Sequence, residues 1–198
     1  MSPTLLTTPL LAPLLRGVAV LVSRLLGWKL AGKFPDVPKA VIIGAPHTSN
    51  WDFLVMLMAI LVWRLDVHWI GKHSLFIGPL GPVMRWLGGI PVDRSKSQSL
   101  VEQMVKHFQG RDRLLLVIAP EGTRKPVECW HTGFYRIARQ ANVPIVLSFM
   151  DYHHKEAGVA GVEVPGDGMK EDIDRYQVFY TTKTGKNPHN YYGYKSDP

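Results

Sequence analysis

The chain has 198 residues, 46% of them hydrophobic and 20% charged, so it is long enough for one globular domain with a buried core. Its single cysteine, Cys129, excludes an internal disulfide and C-x-x-C metal or redox sites. The net charge of +7 is consistent with binding to anionic membranes, phosphorylated substrates or an acidic partner. Because no arginine-rich tract with interleaved aromatics and no recognisable nucleic-acid motif is present, we expect no nucleic-acid binding.

Residues 5 to 28 are strongly apolar, and we interpret them as a helix that lies in the membrane interface. Arg16 and Arg24 interrupt this run, whereas a membrane span needs about 20 largely uncharged residues. On a helical wheel the two arginines and Ser23 share one side, which is typical of a helix whose arginines face lipid phosphates. The alternatives are a buried packing helix and a span or signal peptide, although a signal peptide carries its charge before the apolar core.

The first polar cluster follows the apolar run Val41 to Ile43 and contains a histidine and an aspartate five positions apart, His47 and Asp52. On a continuous helix these positions would point roughly 140° apart, so the two side chains can meet only if the chain turns between them. Ser49 and Asn50 are good N-caps, which predicts a helix start there with Asp52 in the first turn. The helix dipole favours an ionised carboxylate at that position, and His47 would lie on the preceding loop.

The remaining chain alternates between helical and extended patterns. Residues 53 to 65 predict a helix that is apolar nearly all round, either a buried core helix or a second membrane-contacting surface. We also predict helices over 97–108, 131–141 and 170–180, strands over 143–149 and about 158–164, and an irregular tail over 186–198.

This alternation predicts an α/β fold: a single domain with a largely parallel central sheet flanked by helices, plus an N-terminal membrane-interface helical segment. We assign residues 1–30 to the membrane-associating segment and 31–198 to the domain.

A second polar cluster, Pro120-Glu121-Gly122-Thr123-Arg124, follows the apolar run Leu114 to Ile118. Loops at strand ends are where α/β folds place their sites. A Gly-rich block ending in Pro91-Val92-Asp93-Arg94 lies between the two clusters, and Val143-Pro144-Ile145-Val146 follows them. This ordered set, over roughly residues 40 to 150, resembles the glycerolipid acyltransferase family, which includes bacterial 1-acylglycerol-3-phosphate acyltransferase. It departs from the family at Pro91-Val92, where a Phe-Ile run is common.

The resemblance implies a membrane-associated acyltransferase that moves a fatty acyl group from acyl-CoA or acyl carrier protein to the hydroxyl of a lysophospholipid. Such a transfer needs a base, a stabilised oxyanion and two held substrates, without a metal or other cofactor. His47 fits the general base, and Asp52 fits the group that orients it. Since no Gly-x-Ser-x-Gly nucleophile elbow is present, we expect direct attack of the acceptor hydroxyl on the thioester.

Arginine presents a planar fork that matches phosphate oxygens, and the resemblance implies that Arg94 and Arg124 help hold the acceptor's phosphate. We expect Glu121 to order its loop by a salt bridge or capping, and Gly122 to permit close backbone approach or positive φ. Lys72 is a third phosphate candidate. The predicted substrate-binding set is therefore Arg94, Glu121, Gly122, Thr123, Arg124 and Lys72.

We expect no metal site, since His153 and His154 match no standard ligand spacing. The implied partners are a membrane lipid acceptor, the acyl donor and a preferentially anionic membrane surface, with the protein peripheral or monotopic on the cytoplasmic face. Three alternatives remain open at this point: the same chemistry on a different lysolipid acceptor, hydrolysis of the acyl thioester, and a non-catalytic lipid-binding membrane protein.

Overall fold

The structure, a computed structural model, describes residues 4–5, 7–92 and 100–191. Thirteen regular helices and strands are found in that part of the chain. In chain order they are α1 (Leu11–Leu26), β1 (Lys29–Ala31), β2 (Lys39–Ala45), α2 (Trp51–Trp63), β3 (Val67–Lys72), α3 (Leu80–Trp86), β4 (Gly89–Val92), α4 (Leu100–Gln109), β5 (Leu114–Ile118), α5 (Gly133–Ala141), β6 (Ile145–Asp151), β7 (Glu156–Glu163) and α6 (Met169–Tyr180). Short 3₁₀ turns occupy His73–Phe76 and Pro188–Asn190.

The strands form one seven-stranded sheet in the order β1-β7-β6-β2-β5-β3-β4. Strands β6, β2, β5, β3 and β4 run parallel to one another, while β7 is antiparallel to β6. The central strands β2 and β5 are continuous apolar runs, as expected for strands covered on both faces. The predicted α/β fold with a largely parallel sheet is therefore confirmed.

Helices cover both faces of the sheet. On one face α2 packs over Ile42, Leu115 and Val146. On the other face α4, α5 and α6 bury a larger aromatic core that includes Phe108, Phe134 and Tyr180. Because side chains alternate along a strand, Ile42 of β2 faces α2 while its neighbour Ile43 faces this larger core.

Helix α1 packs on the outer side of α2 and ends at Gly27, which adopts the left-handed conformation (φ 74°). Its inward side carries small residues, with Ala19 and Ser23 buried. Arg16 also faces inward and donates a hydrogen bond to the Val62 carbonyl oxygen at 3.3 Å. The helical-wheel interpretation was therefore wrong about Arg16 and Ser23: the stripe that they form lies toward α2, because small side chains allow the two helices to approach closely.

The outward side of α1 is apolar instead. Its exposed residues recur at helical spacing and include Leu14, Val18, Leu21 and Leu25. None of the helices in the described part of the chain combines the length and the apolar character needed to cross a bilayer. The division of the chain at residue 30 stays a prediction.

Predicted element bounds differ from the structure mainly at edges and short segments. The helix predicted from residue 97 is described from Leu100, and the tail from 192 onward lies outside the described residues. Strands β1, β3 and β4 and helix α3 were not predicted, because three to seven residues give too little periodicity to identify. The pair β6–β7 forms a hairpin, the one antiparallel contact among the described strands.

Candidate active site

The sheet topology brings the two polar clusters together. Strands β2 and β5 are parallel neighbours, with Ile43 opposite Ile118. The chain leaves β2 into the first motif loop (residues 46–50) and leaves β5 into the second motif loop (residues 119–126). Since the carboxyl ends of parallel strands lie at the same edge of a sheet, both loops emerge side by side. Strands β3 and β6, which flank this pair, also end at that edge.

His47 and Asp52 meet across the predicted turn. Helix α2 begins at Trp51 with Asn50 at its N-cap and Asp52 in its first turn, as expected. The Nδ1 atom of His47 lies 3.2 Å from Oδ2 of Asp52. A carboxylate can only accept, so this contact places the proton of a neutral imidazole on Nδ1 and leaves Nε2 as a free acceptor. His47 is partly exposed (29%), whereas Asp52 is buried (1%).

The buried Asp52 carboxylate is fully supplied with donors. Its Oδ2 accepts the backbone N–H groups of Thr48 at 2.6 Å and Ser49 at 2.8 Å. Its Oδ1 accepts the hydroxyl of Tyr152 at 2.9 Å. Asp52 thus bonds back from the first turn of α2 to the first motif loop and closes that loop.

Glu121 joins the second motif loop to the first. Its Oε1 accepts the backbone N–H of His47 at 2.9 Å, and its side chain is almost fully buried. Glu121 therefore orders the loop, but by a hydrogen bond across loops and not by a salt bridge. Burial raises the pKa of Glu121 to about 7, against the lowering effect of the His47 N–H bond. Its Oε2 has no hydrogen-bond partner among the described residues, and neither has Nε1 of the buried Trp130.

The rest of the second motif loop is more exposed. Gly122 has a φ of 65°, and a Cβ atom there would lie 2.8 Å from Cδ2 of His131, so both reasons proposed for a glycine hold. Arg124 donates a hydrogen bond from its guanidinium to the side-chain oxygen of Asn50, linking the two loops at the surface. Thr123 accepts the backbone N–H of Lys125 at 3.3 Å through its hydroxyl.

Two further residues were predicted as phosphate ligands. Lys72 is the last residue of β3 and is exposed at the same edge of the sheet. Arg94 lies outside the described residues. The substrate-binding roles of the predicted set stay predictions.

An apolar cavity of about 730 Å³ opens beside the pair. One side of α2 lines it, with Asp52, Met56, Ile60 and Trp63 one helical turn apart. From Asp52 to Trp63 this side extends for about 16 Å, at 1.5 Å per residue. The cavity can therefore receive a long apolar chain whose polar end lies at His47.

Sequence reasoning missed a support that comes from the segment after α6. Asn187 donates from its backbone N–H to the Thr48 hydroxyl at 3.1 Å and from its side-chain amide to the Thr48 carbonyl at 3.0 Å. Gly185 lies against the same threonine, since a Cβ there would be 2.7 Å from Thr48 Cγ2. Tyr152 was missed as well. These residues are 100 or more positions from the first motif loop, and no local spacing indicates them.

The structure also gives the positions of other histidines and tryptophans of the sequence. Among the residues that the structure describes, no group of three or more His, Cys, Asp or Glu side chains is arranged to hold a metal ion. His153 and His154 lie in the β6–β7 turn, between the two strands predicted there. Trp130 is a core residue against Phe134, whereas Trp51 is 59% exposed and packs in no core.

Comparisons with known proteins identify a similar fold and a family. A crystal structure of the 1-acyl-sn-glycerophosphate (LPA) acyltransferase PlsC from Thermotoga maritima is similar in fold, with a TM-score of 0.60 at 15% identity over 89% of this chain and 82% of that chain. No curated protein matches the sequence. The family model described as acyltransferase matches residues 32–148, more than half of the chain and both motif loops. The chain therefore belongs to the acyltransferase family.

Proposed function

We propose that this protein transfers a fatty acyl group from a thioester, acyl-CoA or acyl carrier protein, to the hydroxyl of a lysophospholipid such as 1-acylglycerol-3-phosphate. The observation that carries the proposal is the His47–Asp52 pair at the end of a long apolar cavity. A short acyl group would leave such a cavity unfilled, whereas a fatty acyl chain would bury its methylenes there.

His47 serves as the general base in this mechanism. Its Nε2 takes the proton of the acceptor hydroxyl while that oxygen attacks the thioester carbonyl carbon. The tetrahedral intermediate then collapses, the carbon–sulfur bond breaks, and the thiolate leaves with the proton returned by the imidazolium. Asp52 keeps the imidazole in the required tautomer and stabilises its charged form. The product is an ester and a free thiol, so the proton and the acyl group are both accounted for.

The acceptor's phosphate is assigned to the cationic residues at the edge of the sheet. Arg124 is exposed beside the pair, and its guanidinium is already oriented by Asn50. Lys72 lies at the end of the strand next to β5. The structurally similar PlsC is named as a 1-acyl-sn-glycerophosphate acyltransferase, which supports the same acceptor class here. We assign Arg94 to this set on the family resemblance.

We further propose that α1 holds the protein on the cytoplasmic face of an anionic membrane, in the plane of the bilayer. Leu14, Leu21 and Leu25 are 64%, 58% and 76% exposed on its outer side. An exposed apolar stripe of this kind favours an interfacial site, and the net charge of +7 favours anionic lipid. Docking there would let a bilayer acceptor reach His47 without passing through water.

Liposome sedimentation tests the docking. Leu14→Glu together with Leu25→Glu should release the protein from anionic vesicles, and binding by the unchanged protein should weaken with added salt. Val164→Glu together with Val178→Glu is the matched control, since these valines are 81% and 68% exposed elsewhere on the domain. Equal release by both double variants would contradict docking through α1.

The chemistry is tested by incubating the protein with radiolabelled acyl-CoA or acyl carrier protein and a panel of lyso-acceptors, and separating the lipid products. We expect a new diacyl lipid, and His47→Ala should lower its formation by about 10²-fold or more. Free fatty acid formed without acylated lipid would identify a hydrolase. Binding of labelled lipid without turnover would identify a lipid-binding protein, and more than about a tenth of the activity remaining in His47→Ala would exclude this base.

A further inference from the structure

Tyr152 is the residue that reaches Asp52 from outside the two motif loops. It follows the last residue of β6, on the strand next to β2, and its hydroxyl donates to Oδ1 of Asp52 at 2.9 Å. His47 contacts the other oxygen, Oδ2, at 3.2 Å. The tyrosine and the histidine therefore hold opposite oxygens of one buried carboxylate.

Tyr152 is itself fixed from two directions. Its backbone N–H donates to the Thr184 carbonyl oxygen at 2.8 Å. Its ring meets the indole of Trp28 edge to face, with centroids 5.0 Å apart and an interplanar angle of 88°. Trp28 is the second residue after the end of α1. The Trp28–Tyr152 contact thus connects the end of α1 to the residue whose hydroxyl binds Asp52.

We infer that Tyr152 is a positioning residue for the His47–Asp52 pair. Trp28, just after the C-terminal end of α1, holds the Tyr152 ring in place. The inference rests on the proposed function, in which His47 is the base. Tyr152 is not among the residues that line the cavity, and its hydroxyl bonds to Asp52, so it acts through Asp52.

The physical reason lies in the number of donors around Asp52. Both oxygens of a buried carboxylate need partners, and an unpaired one is costly. Without the Tyr152 hydroxyl, Oδ1 would lose the partner that it has in the structure. The carboxylate would then gain by rotating toward other donors, which would draw Oδ2 away from Nδ1 of His47. A carboxylate drawn away from the ring would stabilise the protonated imidazole less.

Other charged or titratable groups lie around Tyr152 and Asp52, and the substitutions proposed below leave them unchanged. Glu121 interacts electrostatically with both His47 and Asp52. Lys186 places its Nζ 5.7 Å from the centre of the Tyr152 ring. His153 and His154 follow Tyr152 in the turn and are exposed. Burial and the Asp52 carboxylate raise the pKa of Tyr152 well above its ordinary value, so its hydroxyl stays protonated through the assay range.

The test compares Tyr152→Phe with the full-length protein in the transfer assay over a series of pH values. Loss of one hydrogen bond to a charged group should lower kcat about 10-fold, with both KM values nearly unchanged. The acid limb of the activity profile should move to lower pH, because the imidazolium would be stabilised less by the displaced carboxylate. Tyr135→Phe is the matched control, because the Tyr135 hydroxyl donates at 2.6 Å to a different carboxylate, Asp172, on the helical layer.

A double-mutant cycle separates positioning from general damage. In the Asp52→Asn background, Tyr152→Phe should have almost no further effect on kcat, since its partner has already changed. Trp28→Ala should also lower kcat, whereas Trp28→Phe, which keeps an aromatic ring, should lower it much less. An unchanged kcat and acid limb in Tyr152→Phe would overturn the inference, and so would equal losses with and without the Asp52 carboxylate. Neither result would affect the role of His47, which His47→Ala tests separately.

Discussion

Glu121→Gln should change how the stability of this protein depends on pH. The Glu121 side chain is 1% exposed, and burial raises its pKa from 4.5 to about 7. Glutamine keeps an oxygen that can accept the His47 N–H but carries no ionisable proton. The substitution therefore removes the titration while preserving the hydrogen bond between the two motif loops.

The sign and size of this change in the free energy of unfolding follow from the pKa of Glu121 in the unfolded and folded states. In the folded protein Glu121 holds its proton up to a higher pH than in the unfolded chain, so its stabilising effect is complete below pH 4.5 and is lost as the pH rises to about 7. Each unit of pH in that window costs about 1.4 kcal/mol, and the whole window costs about 3 kcal/mol. For a chain of this length the corresponding change in Tm is roughly 10 °C.

The assay is thermal or urea unfolding of both proteins at a series of pH values from acid to slightly alkaline. Glu121→Gln should become more stable relative to the unchanged protein as the pH rises, by about 3 kcal/mol over the whole range. Glu128→Gln, an exposed carboxylate in the same loop segment, should show no such trend. A stability difference for Glu121→Gln that stays constant with pH would refute the argument that burial keeps this carboxyl protonated.

Three further predictions concern the substrates and the first motif loop. Arg124→Ala should raise the acceptor KM about 10-fold or more, with Arg124→Lys rescuing only in part because an ammonium lacks the planar fork. Met56→Trp should obstruct the cavity along α2 and lower kcat/KM for long-chain thioesters at least ~10-fold more than for short-chain ones. Gly185→Ala should push against Thr48 and lower kcat and Tm together, because the loop that carries His47 would have to shift.

Each of these has a control from the same chain. Lys125→Ala removes the neighbouring exposed cation and should leave the acceptor KM nearly unchanged, whereas an effect of Arg124→Ala on the donor KM alone would reassign Arg124 to the thioester. Met56→Leu conserves volume and should keep the chain-length profile. Gly166→Ala, where a Cβ would meet nothing within 4 Å, should be silent. A silent Gly185→Ala would contradict the close packing of this segment on Thr48.

The sequence by itself determined the features that depend on local order. Apolar runs at 41–43 and 114–118 identified the two central strands, and N-capping residues predicted the start of α2 within two positions. The spacing of His47 and Asp52 required a turn between them, and that turn is present. These features follow from short-range rules of periodicity, capping and helix geometry, which act within a few residues of one another.

Only the tertiary structure decided which distant groups complete the site. Tyr152 reaches Asp52 from 100 positions away because β6 pairs with β2, and Asn187 reaches Thr48 from 139 positions away. The direction of α1 was decided in the same way: Arg16 faces α2 and the leucines face outward, because small residues let the two helices pack closely. Strand order and helix packing depend on burial summed over the whole chain, and no local pattern encodes them.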